Sequence, residues 1–354
     1  MTIGSARYAL LVGAVAALTL GIWGGLARIG WQLPAEASGP IALHGPLMVF
    51  GFLGTLVSLE RAVAVGRRWG YLAPLATLAG VALLLSGEER GGQVALLVAG
   101  VVLVALFVVI VSTLPTAATL TLTLAALLWC VGAVLWLGGR ELVVVVPWWA
   151  GFLVVTIFGE RLELAALARL TALGRAAFAA ATMLLVAGLV VGRIVGAHLV
   201  GASFVAYALW LLRFDISRRT VRRPGLPRFV AASLLVGYVW LLVGGVLWLW
   251  YGLEFAGPAR DAELHAVFVG FVFSMIFGHA PVIFPAVLGL PIPFRRVFYV
   301  HLALLHIGVA LRLAGDVGGD ATLARFGALL NALAIGLFFV LTAGSALRAR
   351  RVGT

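Results

Sequence analysis

The chain of 354 residues has few of the residues that soluble proteins carry on their surfaces. Charged residues make up 11% of it, where a soluble domain has roughly a quarter, and every basic residue is arginine. A single cysteine, Cys130, excludes a disulfide framework and a cluster of thiolate metal ligands. With 63% hydrophobic residues, the composition excludes an ordinary soluble globule and indicates a polytopic membrane protein.

Apolar runs of about twenty residues are long enough to cross roughly 30 Å of hydrocarbon as helices. We predict an all-α polytopic membrane protein with twelve such helices and no separate soluble domain. The first run lacks a cleavage site of small residues followed by a polar segment, so we expect it to be retained. The predicted spans are 7–29, 41–64, 71–86, 92–112, 115–137, 142–165, 174–194, 197–213, 228–251, 262–289, 296–314 and 323–347.

A short pattern recurs three times in these runs, with nine residues from a Gly-Phe pair to a polar residue. The copies run from Gly51 to Glu60, from Gly151 to Glu160 and from Gly270 to His279. The recurrence predicts three pseudo-repeats of four helices, all inserted in the same orientation, within one transmembrane domain. That domain covers 1–354, and its predicted repeat units are 1–113, 114–227 and 228–354.

The arginines are distributed unevenly among the predicted connections. Most of the 25 basic residues fall on the side that holds both termini, and most acidic residues fall on the other side. The positive-inside rule then predicts cytoplasmic N- and C-termini in a cell inner membrane. The net charge of +12 suggests nucleic acid, but the basic stretch of the one predicted linker, 213–227, is explained by anionic lipid. The expected partner is therefore the lipid bilayer, and no nucleic acid is expected.

Histidines are few, and an ionisable side chain inside a membrane marks a candidate site. His44 and His265 enter the second and tenth predicted helices near the outer surface, at nearly the same depth. Two imidazoles that face each other at one depth are what an axial ligand pair for haem iron requires. The alternative is that each ring bonds a main-chain carbonyl or surface water. Gly45 and Gly270 would leave room for a flat macrocycle.

The remaining histidines have weaker patterns. His279 and His301 are expected at a comparable inner depth, where a second metal or proton site competes with a simple hydrogen-bonded pair. His306 points about 140° away from His301 on the same helix, which weakens its case as a member of that site. His198 is expected to be an interfacial residue or a partner of a haem propionate.

Glu60 and Glu160 are each followed by an arginine at the inner end of a predicted helix. Adjacent residues on a helix point about 100° apart, so the two members of each acid-base pair need not bond to one another. The simpler interpretation is that Arg61 and Arg161 are surface anchors that extend towards lipid phosphates. The functional alternative is a ring of Glu60, Glu160 and His279 that forms a proton or ion path.

The residues around two of the histidines are similar to helices 2 and 10 of the haem-copper oxidase catalytic subunit and of NnrS-type membrane proteins. The similar stretches read HGPLMVFG at 44–51, HAVFVGF at 265–271, MIFG at 275–278 and PAVLG at 285–289. Twelve helices in three sets of four extend the resemblance, in architecture, over the whole chain. The resemblance implies that His44 and His265 ligate the iron of one low-spin b-type haem.

The chain also departs from the oxidase pattern. In the oxidases, helix 10 carries a His-x-His whose first histidine binds the high-spin haem, whereas the triplet here begins with Glu263. The oxidases place copper ligands on helices 6 and 7, but no histidine occurs between His44 and His198. The resemblance therefore implies haem b without a copper centre, and it leaves open whether the protein is an enzyme.

Three functions follow from these patterns. The first is a haem protein of membrane electron transfer or nitric oxide response, with a redox partner or another membrane subunit. Because a bis-histidine haem has no open coordination position, electron transfer is favoured over gas turnover. The second is a secondary transporter or channel with internal repeats, although repeats of one orientation argue against the inverted-repeat families. The third is a non-catalytic scaffold subunit of a respiratory assembly.

Overall fold

The computed structural model describes residues 3–33, 38–166, 170–252, 254, 256–289 and 291–352. Within these ranges the chain forms helices, turns and short connections, and it contains no strand. Twelve helices are long and apolar enough to cross a membrane. The prediction of an all-α polytopic membrane protein is therefore confirmed, while the arrangement in three repeats stays a prediction.

The helices follow the predicted hydrophobic runs, because a helix that is apolar on every side is stable in lipid and not in water. The spans are α1 (Ile3–Arg28), α2 (His44–Val65), α3 (Arg68–Leu85), α4 (Glu89–Thr113), α5 (Ala117–Leu137), α6 (Leu142–Ala166), α7 (Ala172–Val191), α8 (Arg193–Phe214), α9 (Leu226–Tyr251), α10 (Pro258–Val287), α11 (Phe298–Gly318) and α12 (Ala321–Val352). Two short helices, Ser38–Ala42 and Ser217–Thr220, lie in the connections before α2 and after α8.

Local chemistry sets several of the helix ends. At the start of α5, the Thr116 hydroxyl accepts the N–H of Thr119, and the Thr119 hydroxyl accepts the N–H of Thr116. Gly319 joins α11 to α12 at a φ of 74°, a conformation that strains other residues. The two helices then pack closely, because a Cβ on Gly315 or Gly327 would overlap the backbone of the facing helix.

Within the described residues, two spans change from α-helical to π-helical winding and back. The segment Leu47–Gly54 of α2 and the segment Ala266–Phe273 of α10 are π-helical, and α-helix flanks both. A π turn holds one more residue than an α turn and occurs frequently at functional sites. The remaining Gly-Phe pair, at Gly151, lies in α6, which is α-helical throughout and has Pro147 in its first half.

The chain divides into two compact units, Met1–Gly159 and Glu160–Thr354. The first unit has an aromatic core around Trp129, whose ring centroid lies 4.9 Å from that of Phe50 and 5.0 Å from that of Phe152. All three side chains are fully buried. The Trp129 Nε1 donates to the carbonyl oxygen of Leu96 at 3.0 Å, so the polar atom of the ring is also satisfied.

In the second unit, α8, α9 and α10 pack in sequence, α11 packs against α12, and α7 packs mainly against α8. The predicted linker after α8 is an ordered connection. The carboxylate of Asp215 accepts the N–H of Ser217 at 2.7 Å, just before the short helix Ser217–Thr220. That helix packs against α9, so the connection belongs to the folded unit.

Candidate functional sites in the membrane spans

His44 is the first residue of α2 and lies against α1. Its Nδ1 is 2.6 Å from the carbonyl oxygen of Gly21, a bond that requires the proton on Nδ1 and leaves the ring lone pair on Nε2. A Cβ on Gly25 would lie 2.7 Å from the imidazole Cε1, so glycine allows this close approach. A Cβ on Gly45 would meet no described atom within 4 Å, and the expectation of room for a macrocycle beside this glycine stays a prediction.

His265 ends the first α-helical stretch of α10, and a carboxylate holds its ring. The Nδ1 lies 2.8 Å from the main-chain oxygen of Asp261 and 3.2 Å from the Oδ1 of the same residue. Arg312 of α11 donates to both carboxylate oxygens of Asp261, at 2.6 and 2.8 Å. A carboxylate bonded to a histidine fixes the ring orientation and makes the ring a better metal ligand. His265 therefore has the supporting contacts of a ligating histidine.

The space that we expected beside Gly270 is filled. A Cβ on Gly270 would lie 2.6 Å from the Cγ of Trp240 on α9. The Nε1 of Trp240 donates to the Nδ1 of His306 on α11 at 3.0 Å, which holds the indole in place. The expectation of room for a macrocycle at Gly270 is wrong, because an indole ring covers this face of α10.

Each π-helical segment begins shortly after a histidine and ends at a hydroxyl residue. Thr55 follows the segment in α2, and its Oγ1 donates to the carbonyl of Phe50 at 3.4 Å. Ser274 follows the segment in α10, and its Oγ donates to the carbonyl of Gly270 at 2.5 Å. Both hydroxyl residues come four positions after the glycine of the Gly-Phe pair, where α6 has Val155. A π turn displaces the N–H groups that would normally bond to nearby carbonyls. These hydroxyls donate to such carbonyls instead.

The two histidines do not hold the same position in the repeated pattern. His44 precedes Gly51 by seven residues, whereas His265 precedes Gly270 by five. Glu263 is the residue that precedes Gly270 by seven. At 1.5 Å per residue, the two histidines differ by about 3 Å in position along their helices when the Gly-Phe pairs are aligned.

Glu263 belongs to a buried polar group at the start of α10. Its Oε2 accepts from Nη1 of Arg260 at 3.2 Å, and the Arg260 guanidinium lies 5.2 Å from the ring centroid of Trp248. Within the described part of the chain, the Oε1 of Glu263, the Nη2 of Arg260 and the Nε1 of Trp248 have no hydrogen-bond partner. Buried polar atoms of this kind call for a polar occupant such as water.

A second charged cluster joins the last part of α6 to the connection after α8. Arg161 donates to both carboxylate oxygens of Asp215, at 2.8 and 3.1 Å, and both side chains are buried. The Nη1 of Arg161 also lies 3.4 Å from the Nε2 of His279, whose Nδ1 faces the carbonyl of Met275 at 2.8 Å. A bidentate arginine-carboxylate pair combines charge with fixed geometry, so this cluster positions three elements at once.

The structure separates the two acid-base pairs that looked alike in the sequence. Arg61 bonds to Glu60 at 3.0 Å, and both side chains are partly exposed. Arg161 instead bonds to Asp215 and is only 3% exposed. The interpretation of Arg161 as a surface anchor is therefore wrong, because its guanidinium is buried in an ion pair with Asp215. The ring of Glu60, Glu160 and His279 stays a prediction.

The histidines of the expected second site contact different groups. His301 is 1% exposed, and its ring centroid lies 4.7 Å from that of Phe277 and 5.5 Å from that of Phe338. Neither of its nitrogens has a hydrogen-bond partner among the described residues, whereas His279 contacts Arg161. Among the described residues, no group of three His, Cys, Asp or Glu side chains lies where it could hold a metal ion.

Sequence reasoning did not single out three residues that organise these clusters. Asp215 lies in the stretch that we predicted to be a linker, and Asp261 and Arg312 lie 51 positions apart. Arg312 had a usable signal, because an arginine well inside an apolar run is costly in lipid unless a partner compensates for it. The identity of that partner depends on tertiary packing, which the apolar pattern does not specify.

A family model described as a domain of unknown function, DUF8744, matches residues 7–347. The match covers nearly the whole chain, and the protein belongs to this family. No curated protein and no solved structure matches the chain.

Proposed function

We propose that this DUF8744 chain is a haem-binding membrane protein related to the haem-copper oxidase and NnrS group. In this proposal, His44 and His265 ligate the iron of a single low-spin b-type haem without a copper centre. The protein then acts in membrane electron transfer or in the response to nitric oxide. A redox protein or another membrane subunit is the expected partner.

The observation that carries the proposal is that a histidine precedes each of the two π-helical segments. Of the three spans with the Gly-Phe pattern, α2 and α10 contain a π-helical segment, and a histidine precedes each segment. The third span, α6, has no histidine and no π-helical segment. π turns occur frequently at functional sites. Their presence in α2 and α10, the two of these three spans that contain a histidine, therefore supports a function for His44 and His265.

The contacts of each imidazole also fit iron ligation. Both Nδ1 atoms bond to main-chain carbonyls, which leaves the Nε2 lone pair as the metal-binding one. The Asp261 carboxylate supports His265 as a ligand, and Arg312 holds that carboxylate in place. Haem would supply one-electron redox chemistry, while the chain's residues set ring orientation and basicity. Two histidine ligands leave no open iron position, which favours electron transfer over turnover of a gas.

A reduced-minus-oxidised visible spectrum of the purified full-length protein, expressed with haem precursor, tests the proposal. We expect the bands of a b-type haem, at about one haem per chain if His44 and His265 serve the same iron. His44→Ala and His265→Ala should each remove the whole low-spin signal. A variant that keeps half of the haem would show instead that the histidines bind separately.

His198→Ala is the matched control for these variants. The Nδ1 of His198 faces the carbonyl of Leu249 at 2.7 Å, as in the proposed ligands, but no π turn follows it. The control should keep the low-spin spectrum, because a contact with a haem propionate, one of the two roles expected for His198, does not ligate the iron. Wild-type protein that folds, as judged by size-exclusion chromatography, yet contains no haem in a pyridine haemochrome assay would reject the proposal.

We also propose that the protein lies in the cell inner membrane with both termini in the cytoplasm. The support is the concentration of arginine in the connections on the side of the termini. Reporter fusions at each end test the topology: a fluorescent protein should fluoresce, and alkaline phosphatase should be inactive. Active phosphatase at either end would reject this orientation.

A second candidate is a transporter or channel, which the buried charges of the second unit favour. Arg161, Arg260, Glu263 and Arg312 are buried within spans, and ionisable groups in such positions frequently mark a transport path. A colourless protein whose thermal stability rises with one solute or ion would support this candidate. A bound b-type haem would instead favour the first.

A further inference from the structure

A cavity of about 1140 Å³ lies between the ends of α7 and α8 in the second unit. It is open on one side and has two kinds of wall. Apolar side chains of the two helices form one part, including Leu173, Ala177 and Leu209. The other part is arginine-rich: Arg213 lies in the last turn of α8, and Arg218, Arg219 and Arg222 lie in the connection after it. The cavity therefore joins an apolar groove to a cationic end.

The cationic end is built on an ordered connection. Among the described residues of the cavity wall, the carboxylate belongs to Asp215, and Arg161 donates to both of its oxygens. Asp215 also accepts the N–H of Ser217, and Arg218 donates to the carbonyl of Arg213 at 3.1 Å. The buried ion pair thus fixes the start of the arginine-bearing segment. Because Asp215 is already paired with Arg161, the described residues of this wall offer no other carboxylate to neutralise the four guanidinium groups.

A second, separate apolar cavity lies farther along α7. It has a volume of about 420 Å³ and lies beside Met183, Val186 and Val190 of this helix. From Leu173 to Val190 the helix advances about 26 Å, which approaches the roughly 30 Å of a hydrocarbon core. Since α7 packs mainly against α8, its other faces are exposed, as the 66% exposure of Met183 and the 69% exposure of Val190 illustrate.

We propose that this groove is a binding site for an anionic phospholipid. The phosphate bonds to the arginines of the connection, and an acyl chain lies in the apolar groove on α7. Arginine suits the first task, because its planar guanidinium can donate two hydrogen bonds to one phosphate. The juxtaposition of cationic and apolar walls in one cavity matches the two chemical halves of such a lipid. The site is independent of haem binding.

Native mass spectrometry of the full-length protein in detergent tests the site. Phosphatidylglycerol and phosphatidylcholine with the same acyl chains are titrated separately, and inorganic phosphate is the soluble probe. We expect tighter binding of phosphatidylglycerol. In Arg219→Gln/Arg222→Gln its affinity should fall about 25-fold, a factor of about five for each arginine. The matched control is Arg67→Gln/Arg68→Gln, which removes two exposed arginines outside this cavity and should bind like the wild type.

The groove is tested separately from the arginines. Ala177→Trp places an indole in the cavity and should weaken phosphatidylglycerol binding, whereas Ala179→Trp changes an exposed α7 residue outside the two cavities and should not. Three results would overturn the proposal: equal affinity for the two lipids, equal loss in both arginine variants, or inorganic phosphate that competes fully while Ala177→Trp has no effect. A lipid-free dimer that Ala177→Trp dissociates would assign the groove to a second copy of the chain.

Discussion

The two units bury different kinds of polar side chain, although both consist of long apolar helices. In the described part of the first unit, the buried polar side chains are hydroxyls that bond to carbonyls of their own helix or the turn before it. The second unit also buries charged side chains, which are Arg161, Asp215, Arg260, Glu263 and Arg312. The difference indicates that packing and local hydrogen bonds hold the first unit, whereas the second also depends on buried ion pairs.

The distinction has a physical basis in the cost of burial. A hydroxyl in lipid satisfies itself on its own helix, so it needs no partner from elsewhere in the fold. A buried charge must find a second residue, and that residue ties separate elements together. Arg161 with Asp215, and Arg312 with Asp261, each join residues more than 50 positions apart. The spans of His44 and His265 both contain a π-helical segment, and the ion pair of Asp261 and Arg312 supports the ring of His265.

The largest expected effect comes from removing a buried partner in the second unit. Asp215→Ala leaves the Arg161 guanidinium buried without its carboxylate, and we expect a loss of about 3–5 kcal/mol in the free energy of unfolding. Titration of the purified protein with a denaturing detergent, followed by circular dichroism, measures this loss. The double variant Arg161→Met/Asp215→Leu should recover most of it, because it removes both charges. A single variant as stable as wild type would show that the pair is not needed.

The hydrophobic runs were sufficient to predict the twelve spans, because length and apolar character determine which segments leave water. They were not sufficient to predict the π turns. The segments LMVFGFLG and AVFVGFVF are apolar on every side, so they contain no periodicity that distinguishes π from α winding. The hydroxyls at Thr55 and Ser274, set against Val155 in α6, are the sequence feature that coincides with them.

The candidate residues were predictable only in part. His44, His265 and Glu263 were recognisable from their own type and position. The partners Asp215 and Asp261 were not, because pairing is a property of the packed unit. Arg312 was recognisable only as a costly charge inside an apolar run. The different partners of Arg61 and Arg161 also could not be predicted. Each arginine follows a glutamate in the sequence, but only Arg161 bonds to a buried carboxylate.

A smaller effect is expected in the aromatic core of the first unit. Trp129→Phe removes the Nε1 donor to the Leu96 carbonyl and leaves a gap between Phe50 and Phe152. We expect a loss of about 2 kcal/mol, from the hydrogen bond and the reduced packing together. The same detergent titration measures it. Trp250→Phe is the control, since Trp250 is 80% exposed and its change should have little effect. Equal losses in the two variants would show that the aromatic core makes no specific contribution to the stability of the first unit.

The smallest effect is expected for the ion pair of the first unit. Glu60 bonds to Arg61 at 3.0 Å, but the two side chains are 29% and 15% exposed, so each charge keeps part of its hydration. We expect Glu60→Ala to cost less than about 1 kcal/mol, measured as for Asp215→Ala. A loss as large as that of Asp215→Ala would show that both units depend on ion pairs, and the contrast between them would fail. Both variants remove a carboxylate from an arginine, and the two sites differ mainly in access to water. A small loss for Glu60→Ala would therefore indicate that burial determines how much each ion pair contributes to the free energy of unfolding.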